Sequence, residues 1–432
     1  MNNKLLLISI ILFLTHCSFN SNSNFWNQSK IVKEERNKKQ LFQTTKIADF
    51  EINEDLEIQI KSNAFVKNSF QNNLTNNNGQ LDYDGKLKKA SKFKFSRIDK
   101  FNEFEPEIIF DKENLIFFSN KGSILKFNDK SKLLWKKNYY TKNEKKLEPI
   151  LFFANNEETL IVADNITRLY ALDISSGNLI WSKNNPAAFN SEIKIYKDYF
   201  FLIDYENILR CFSIKDGEEI WNIKTENSIL KSQKKLSLVI KEEKIIFNNS
   251  IGDITAVDMF GNLLWIVPTL KNQNASTTYF LKMSNLVIDK DSIYFSTNMN
   301  EFYSLDLNNG VINWKQNINS SLRSTIIGEM IFSVSDEGYF SIINVETGEI
   351  IRRTDIFSGI KKKKKKKLKA TGFIVGKEKI YVSLNNGKIF IVDIKFGKTI
   401  SSIKIDNDFI SRPFVKNQEL FIIKDNGIIK VQ

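Results

Sequence analysis

From about residue 91 onward, apolar side chains recur at every second position in short runs. "RLYALD" (168–173), "EFYSLD" (301–306) and "KIFIVD" (388–393) show the pattern most cleanly. Period two puts alternate side chains on opposite faces of an extended chain, so these runs are predicted strands. A turn signal follows each. Between Asp173 and Gly177 the chain offers an Asp that can bond its own backbone and a Gly that accepts positive φ at no steric cost. The same four-residue offset returns at Asp306 with Gly310, Asn344 with Gly348 and Asp393 with Gly397. In "VDMFG", Asp258 stands only three residues before Gly261, which predicts a turn one residue shorter.

These runs are copies of one unit, "RLYALDISSGNLIW" (168–181). Aligned on glycine, the copies carry Gly177, Gly217, Gly261, Gly310, Gly348 and Gly397, and the first four are followed four residues later by Trp181, Trp221, Trp265 and Trp314. An earlier copy, "SILKFNDKSKLLW", keeps Trp135 and has Ser131 where the glycine would stand. The glycine intervals are 40, 44, 49, 38 and 49 residues, the size of a propeller blade. Upstream of each copy lies another strand: "NLIFFSN", "TLIVADN", "YFFLIDY", "KIIFNNS", "SIYFSTN", "MIFSVSD" and "KIYVSLN". An eighth, "ELFIIKDNGIIKV", runs into the C-terminus and stops before its turn. Eight copies over 91–432 average about 43 residues each, which predicts an all-β, eight-bladed β-propeller of four-stranded antiparallel blades. The last copy lacks its final strand, and an open edge invites aggregation. "KFKFSRI" (92–98), the only strand-like piece ahead of the first blade, is expected to supply that strand and close the ring. The tryptophans are expected to pack between blades, with an aromatic ligand cage as the alternative.

The unit "LYALDxxxGxxxW" resembles the repeat of PQQ-type β-propellers over about 91–432. Within that group the chain is similar to the BamB family, the lipoprotein subunits of the outer-membrane β-barrel assembly machinery. Pro106 in "FEPEIIF", Pro149 in "LEPILFF" and Pro413 in "SRPFVKN" open blades, and the chain ends on an inner strand, as the resemblance requires. It implies a non-enzymatic periplasmic scaffold, a monomer within a hetero-complex, whose partner is the periplasmic domain of a BamA-type barrel assembly protein. Loops of neighbouring blades would grip that domain. The corresponding connections follow Trp221 ("NIKTENSILKSQKKLS") and Trp265 ("IVPTLKNQNASTTYFLKMS"). Their candidate partner-binding residues are Ile229, Leu230 and Lys231 in the first and Tyr279, Phe280 and Lys282 in the second; the alternative is that these are ordinary blade strand.

The N-terminus bears on compartment. Lys4 precedes ten apolar residues, "LLLISIILFL" (5–14), too short to cross a bilayer as a helix and suited to a signal-peptide core. "LTHC" follows and resembles a bacterial lipobox, with Leu14 and Cys17 in place; His16 departs from the small residue expected there. Residues 1–17 are therefore expected to be a lipoprotein signal peptide, Cys17 the lipidation site, and Ser18 behind it implies sorting to the outer membrane. A plain secreted or membrane-tethered protein is the alternative. Residues 18–90 carry no repeat and are rich in Asn, Lys and Ser, notably "KNSFQNNLTNNNG" (67–79), which predicts a flexible polar tether ahead of a propeller at 91–432. "FEINEDLEIQI" (50–60) could instead lie on the propeller as an extra strand.

Little chemistry remains. The two cysteines are Cys17 and Cys211, so Cys211 has no internal partner, and it occupies the place of Ala171 and Ser304 in other copies, that of a small core residue. The one histidine, His16, lies in the cleaved segment, which leaves no Ser-His or Cys-His pair and no histidine metal site. No catalytic residue, metal or cofactor is expected. The enzymatic rival is a quinoprotein dehydrogenase of the same fold, but the vicinal cysteine pair such enzymes often carry is missing here. The formal charge of +13 invites a nucleic-acid reading. Lysine is nevertheless spread along the chain among Asn, Ile and Phe, and a signal peptide points away from nucleic acid. The run Lys361–Lys367 is expected to be a solvated loop, with contact to anionic lipid headgroups as the alternative.

Overall fold

In a computed structural model, residues 50–60, 64–69, 73–269 and 275–432 are described. Cys17 and the expected signal peptide lie outside them. The strands form eight sheets of four, each a meander of antiparallel neighbours. Blade 2 shows the plan with strands Leu151–Asn155, Thr159–Asp164, Arg168–Asp173 and Leu179–Asn184, counted outward from the axis. Second and third strands are buried almost end to end, as in Thr159–Asp164, whereas Leu179–Asn184 alternates exposed and half-buried positions. This follows from the ring. Middle strands have a neighbouring blade on both faces and read as continuous apolar runs, while fourth strands lie on the perimeter.

The ring closes as the chain's own ends require. Blade 8 combines Phe414–Lys416, Glu419–Lys424 and Gly427–Val431 with the N-terminal strand Lys89–Lys94, in the order that makes the last its outer strand. Phe93 sits opposite Ile428. Across the seam to blade 1, Phe93 meets Phe127 with ring centroids 5.8 Å apart and Phe110 meets Phe421 at 5.2 Å. The closing strand begins three residues before the predicted 92, because Lys89 to Ser91 carry a bulge and no apolar alternation.

The repeated Gly and Trp form the joints between blades. A bulge beside the fourth strand's tryptophan, as between Ala171 and Leu172 opposite Trp181 and Leu179, turns the indole toward the next blade. There it covers that blade's turn glycine: a Cβ on Gly217 would lie 2.6 Å from Trp181, and Gly177 meets Trp135, Gly261 Trp221, Gly310 Trp265 and Gly348 Trp314 in the same way. All these glycines have positive φ, from 69° at Gly217 to 84° at Gly261. The indole N–H donates to a turn carbonyl, Trp181 to Ile214 at 2.8 Å, Trp221 to Met259 at 2.9 Å, Trp265 to Leu307 at 3.3 Å and Trp314 to Val345 at 2.9 Å. The turn at Gly261 is the shorter one, its N–H bonding Asp258 rather than a residue four back as Gly177 bonds Asp173.

Two joints carry a buried cation. In blade 1 Lys126 occupies the position of Ala171, opposite Trp135. Its ammonium takes the Ile174 carbonyl at 2.9 Å and Asp111 at 2.5 Å, and the Trp135 N–H has no hydrogen-bond partner. In blade 6 Arg352 stands four residues after Gly348, where a tryptophan would be, fully buried beneath Gly397 with Nη2 on the Ile394 carbonyl at 2.8 Å. Burial lowers its guanidinium to about 10.

Within the stretch whose composition suggests a tether, the described residues lie against the propeller. Ile52 pairs with Arg353, Ile58 donates to Lys395, and the Leu56 carbonyl accepts from Arg352 Nη1 at 3.0 Å. Leu81 and Tyr83 are buried, at 0% and 2% exposure. Residues 67–69 and 73–83 are tied to the inner strands by backbone bonds: Ser69 to Val415, Leu74 to Ile240, Thr75 to Ile288 and Leu81 to Val375. They form a loop inserted along the axis, a plug. No apolar period announces it, because its bonds are made by Asn side chains and backbone.

Candidate functional site

The meander sorts the loops onto two faces. Connections from a fourth strand to the next blade's first strand share one face with the turns between second and third strands. The other face holds the first-to-second hairpins and the glycine turns. Loop 225–237 and residues 275–286 both lie on the first face and belong to the connections after successive blades. They touch, since Ser232 Oγ donates to the Leu281 carbonyl at 2.7 Å.

Four of the six candidate partner-binding residues offer apolar surface there. Ile229 is 98% exposed, Leu230 43%, Tyr279 46% and Phe280 62%. Tyr279 and Phe280 end a short helix, Ala275–Phe280, their rings edge to face at 5.2 Å. Residues 275–286 are thus helix and loop, not blade strand. Lys282 is exposed. Lys231 is held: its ammonium bonds the Tyr205 carbonyl and Asn227 Oδ1 at 2.9 Å, which fixes the loop on blade 3.

The same face surrounds the mouth of the central channel, where a ring of charge assembles that sequence reading missed. Glu107 of blade 1, Glu192 and Lys194 of blade 3, Lys235 of blade 4, Arg323 of blade 6 and Arg412 of blade 8 stand just before or at the start of their blades' inner strands. Glu192 is the hub. It accepts from Arg323 Nη2 at 2.6 Å, Asn285 Nδ2 at 2.8 Å, Asn76 Nδ2 at 2.9 Å and Ser237 Oγ at 3.1 Å. Burial alone would raise its carboxyl, but Lys194 and Arg323 outweigh that and hold it well below the ordinary range. Lys194 is lowered to about 8 by burial, against the pull of Glu192. From the other end of the channel, Asn76 receives the Lys194 ammonium on Oδ1 at 2.7 Å. The plug and the ring are one network. A charged residue within three positions ahead of the inner strand in blades 1, 3, 4, 6 and 8 was a signal available in the sequence, but those positions lie outside the Gly–Trp motif.

Cys211 is a buried core residue at the place of Ala171 and Ser304, and burial pushes its thiol up to about 12. Lys361–Lys367 includes one helical turn, Lys362–Lys365, in the connection before blade 7. Six of its lysines are exposed, while Lys365 pairs with Asp355 at 2.5 Å and lies over the Tyr339 ring.

Among the described residues no group of three or more His, Cys, Asp or Glu could hold a metal ion. No helix there is long and apolar enough to cross a membrane.

The chain resembles known proteins in sequence and in fold. An uncharacterized protein of Rickettsia conorii is 22% identical over 247 residues, 56% of this chain and 58% of that protein. One from Rickettsia prowazekii is 22% identical over 253 residues, 57% of this chain and 60% of that one. The chain thus spans about three fifths of the length of these curated relatives. The crystal structure of BamB from Moraxella catarrhalis superposes with a TM-score of 0.64 at 15% identity, covering 80% of this chain and 99% of that one. The quinohemoprotein alcohol dehydrogenase of Comamonas testosteroni shares the fold at a TM-score of 0.60 and 8% identity, over 85% of this chain and 81% of that one. Residues 120–354, more than half of the chain, match the family model described as outer membrane protein assembly factor BamB, and the chain belongs to that family.

Proposed function

We propose that this protein is a non-enzymatic scaffold of the outer-membrane β-barrel assembly complex, and that it docks the periplasmic domain of a BamA-type protein on loops 225–237 and 275–286. The observation that carries this reading is the exposed apolar cluster of Ile229, Leu230, Tyr279 and Phe280 on two touching loops of a BamB-family propeller. Exposed aromatics beside lysines match interface composition, and a few buried anchors usually dominate binding energy. Lipidation at Cys17 would hold the scaffold on the periplasmic face of the outer membrane.

The channel supports the non-catalytic side. A quinone cofactor on the axis would compete with this chain's own residues 73–81. The space left at the mouth is a cavity of about 50 Å3, against roughly 300–1,000 Å3 for small-molecule sites. The residues present do not fit that cofactor.

The test is a double substitution, Leu230→Asp with Phe280→Asp, followed by purification from detergent-solubilised outer membrane. Loss of the assembly proteins with an unchanged melting curve is the expected result. Retained co-purification would remove the site, and an unfolded variant would return these side chains to the core.

A further inference from the structure

The charged ring at the channel mouth is not balanced. Glu105, Glu107 and Glu192 face Lys194, Lys234, Lys235, Arg323 and Arg412, three carboxylates against five cations. Glu192 is consumed by the contacts above. Glu105 pairs with Lys234 at 2.7 Å. Glu107 lies 3.1 Å from Lys235 but 3.6 Å from both Arg323 and Arg412, too far for a hydrogen bond to either guanidinium. Arg323, whose side chain is 8% exposed, spends Nη2 on Glu192 and keeps Nε and Nη1 buried with no hydrogen-bond partner, and Arg412 keeps Nη2 the same way. A guanidinium cannot shed its proton to escape this. Thr371 Oγ1, another unpartnered polar atom, lines the same cavity, as do Arg323, Arg412 and Lys234. Glu105, Glu107 and Asn78 of the plug line it too, so three cations face two carboxylates around the cavity.

The cavity has about 50 Å3, several times the roughly 10–15 Å3 that one water requires, so it has room for a tetrahedral or planar anion of a few heavy atoms. Such an anion would receive the free N–H groups of both arginines as paired, charge-assisted bonds and cancel the surplus positive charge, which water cannot do. We propose that the channel mouth is a binding site for a small oxyanion, a phosphate or carboxylate group, clamped between Arg323 and Arg412 over the plug. The site is separate from the apolar loops and stands whether or not those loops dock a partner.

The experiment titrates the purified full-length protein with inorganic phosphate, and separately with acetate, in a weakly coordinating buffer, reading heat by calorimetry and the thermal midpoint. Saturable one-to-one binding is expected for at least one of the two, and the tighter arm identifies the group. Arg412→Gln should weaken it tenfold or more. Arg412→Lys, which keeps the charge and loses the fork, should weaken it too and covers the case in which the first variant does not fold. Replacing Lys361–Lys364 with Ser should leave the affinity unchanged. No saturable binding of either anion at tens of millimolar would overturn the proposal. So would binding that survives both Arg412 variants, or binding that disappears with the lysine run.

Discussion

A single glycine decides how closely one blade can meet the next. At Gly217 two demands coincide, a left-handed backbone at φ 69° and an indole 2.6 Å from where a Cβ would stand. Gly359 shares the first demand, with φ 77°, but a Cβ there would meet nothing within 4 Å. Gly359→Ala should therefore cost only the left-handed penalty, about 1–2 kcal/mol. Gly217→Ala should cost that and the displacement of Trp181 as well, and the difference in denaturant midpoint between the two variants isolates the joint. A smaller loss at Gly217 than at Gly359 would refute this account of the repeat. Cys211 offers a second check: with its thiol buried and pushed up to about 12, alkylation at pH 8 should be slow in the native protein and complete only on unfolding. These positions were legible because each glycine and tryptophan recurs at a fixed offset. Arg352 and Lys126 were not, since each fills a repeat position with a residue type the pattern does not contain, and only the packing reveals what its charge bonds to.

At the scale of elements, apolar period two located the second and third strands and the turns between them, which is most of the fold. It was weaker at the edges. The closing strand Lys89–Lys94 has only Phe93 fully buried, so alternation misplaced its start. Its energetic role is larger than its pattern, because it covers the edge of Gly427–Val431 and sets Phe93 against Phe127 across the seam. Deleting 89–94 should lower the thermal midpoint, broaden the transition and promote association through the bared edge; an unchanged, sharp melt would mean that the ring does not depend on this closure. The lysine run is the opposite case, prominent in sequence and marginal in structure. Replacing its six exposed lysines with Ser and Gly should leave the midpoint in place, and including Lys365, which is partly exposed at its pair with Asp355, should cost under about 1 kcal/mol.

Across the whole molecule the plug makes the ring more than a sum of blades. Residues 67–69 and 73–83 bond inner strands of blades 4, 5, 7 and 8 through their backbone, and Asn76 reaches the blade 3 pair of Glu192 and Lys194. An Asn-rich segment gives sequence analysis nothing periodic to hold, and its meaning appears only when these five blades converge on it. The network ties stability to pH. Glu107 and Glu192 titrate below their ordinary 4.5 in the folded protein, so their contribution is complete above that value and is lost as pH falls through and beneath it, the unfolded chain taking up protons first. Lys194 acts in the other window: lowered from 10.5 to about 8, it makes stability rise as pH climbs from about 8 toward 10.5. Asn76→Ala removes a partner from both groups at once and leaves the Lys194 ammonium buried with one fewer acceptor, which should cost about 1–3 kcal/mol at neutral pH. The same variant should bring acid unfolding to higher pH, because Glu192 loses a hydrogen bond that favours its charged form. Urea melts of wild type and Asn76→Ala at pH 7 and at pH 4 decide it. If the two proteins differ equally little at both, the plug rests on the propeller without coupling to the charged ring.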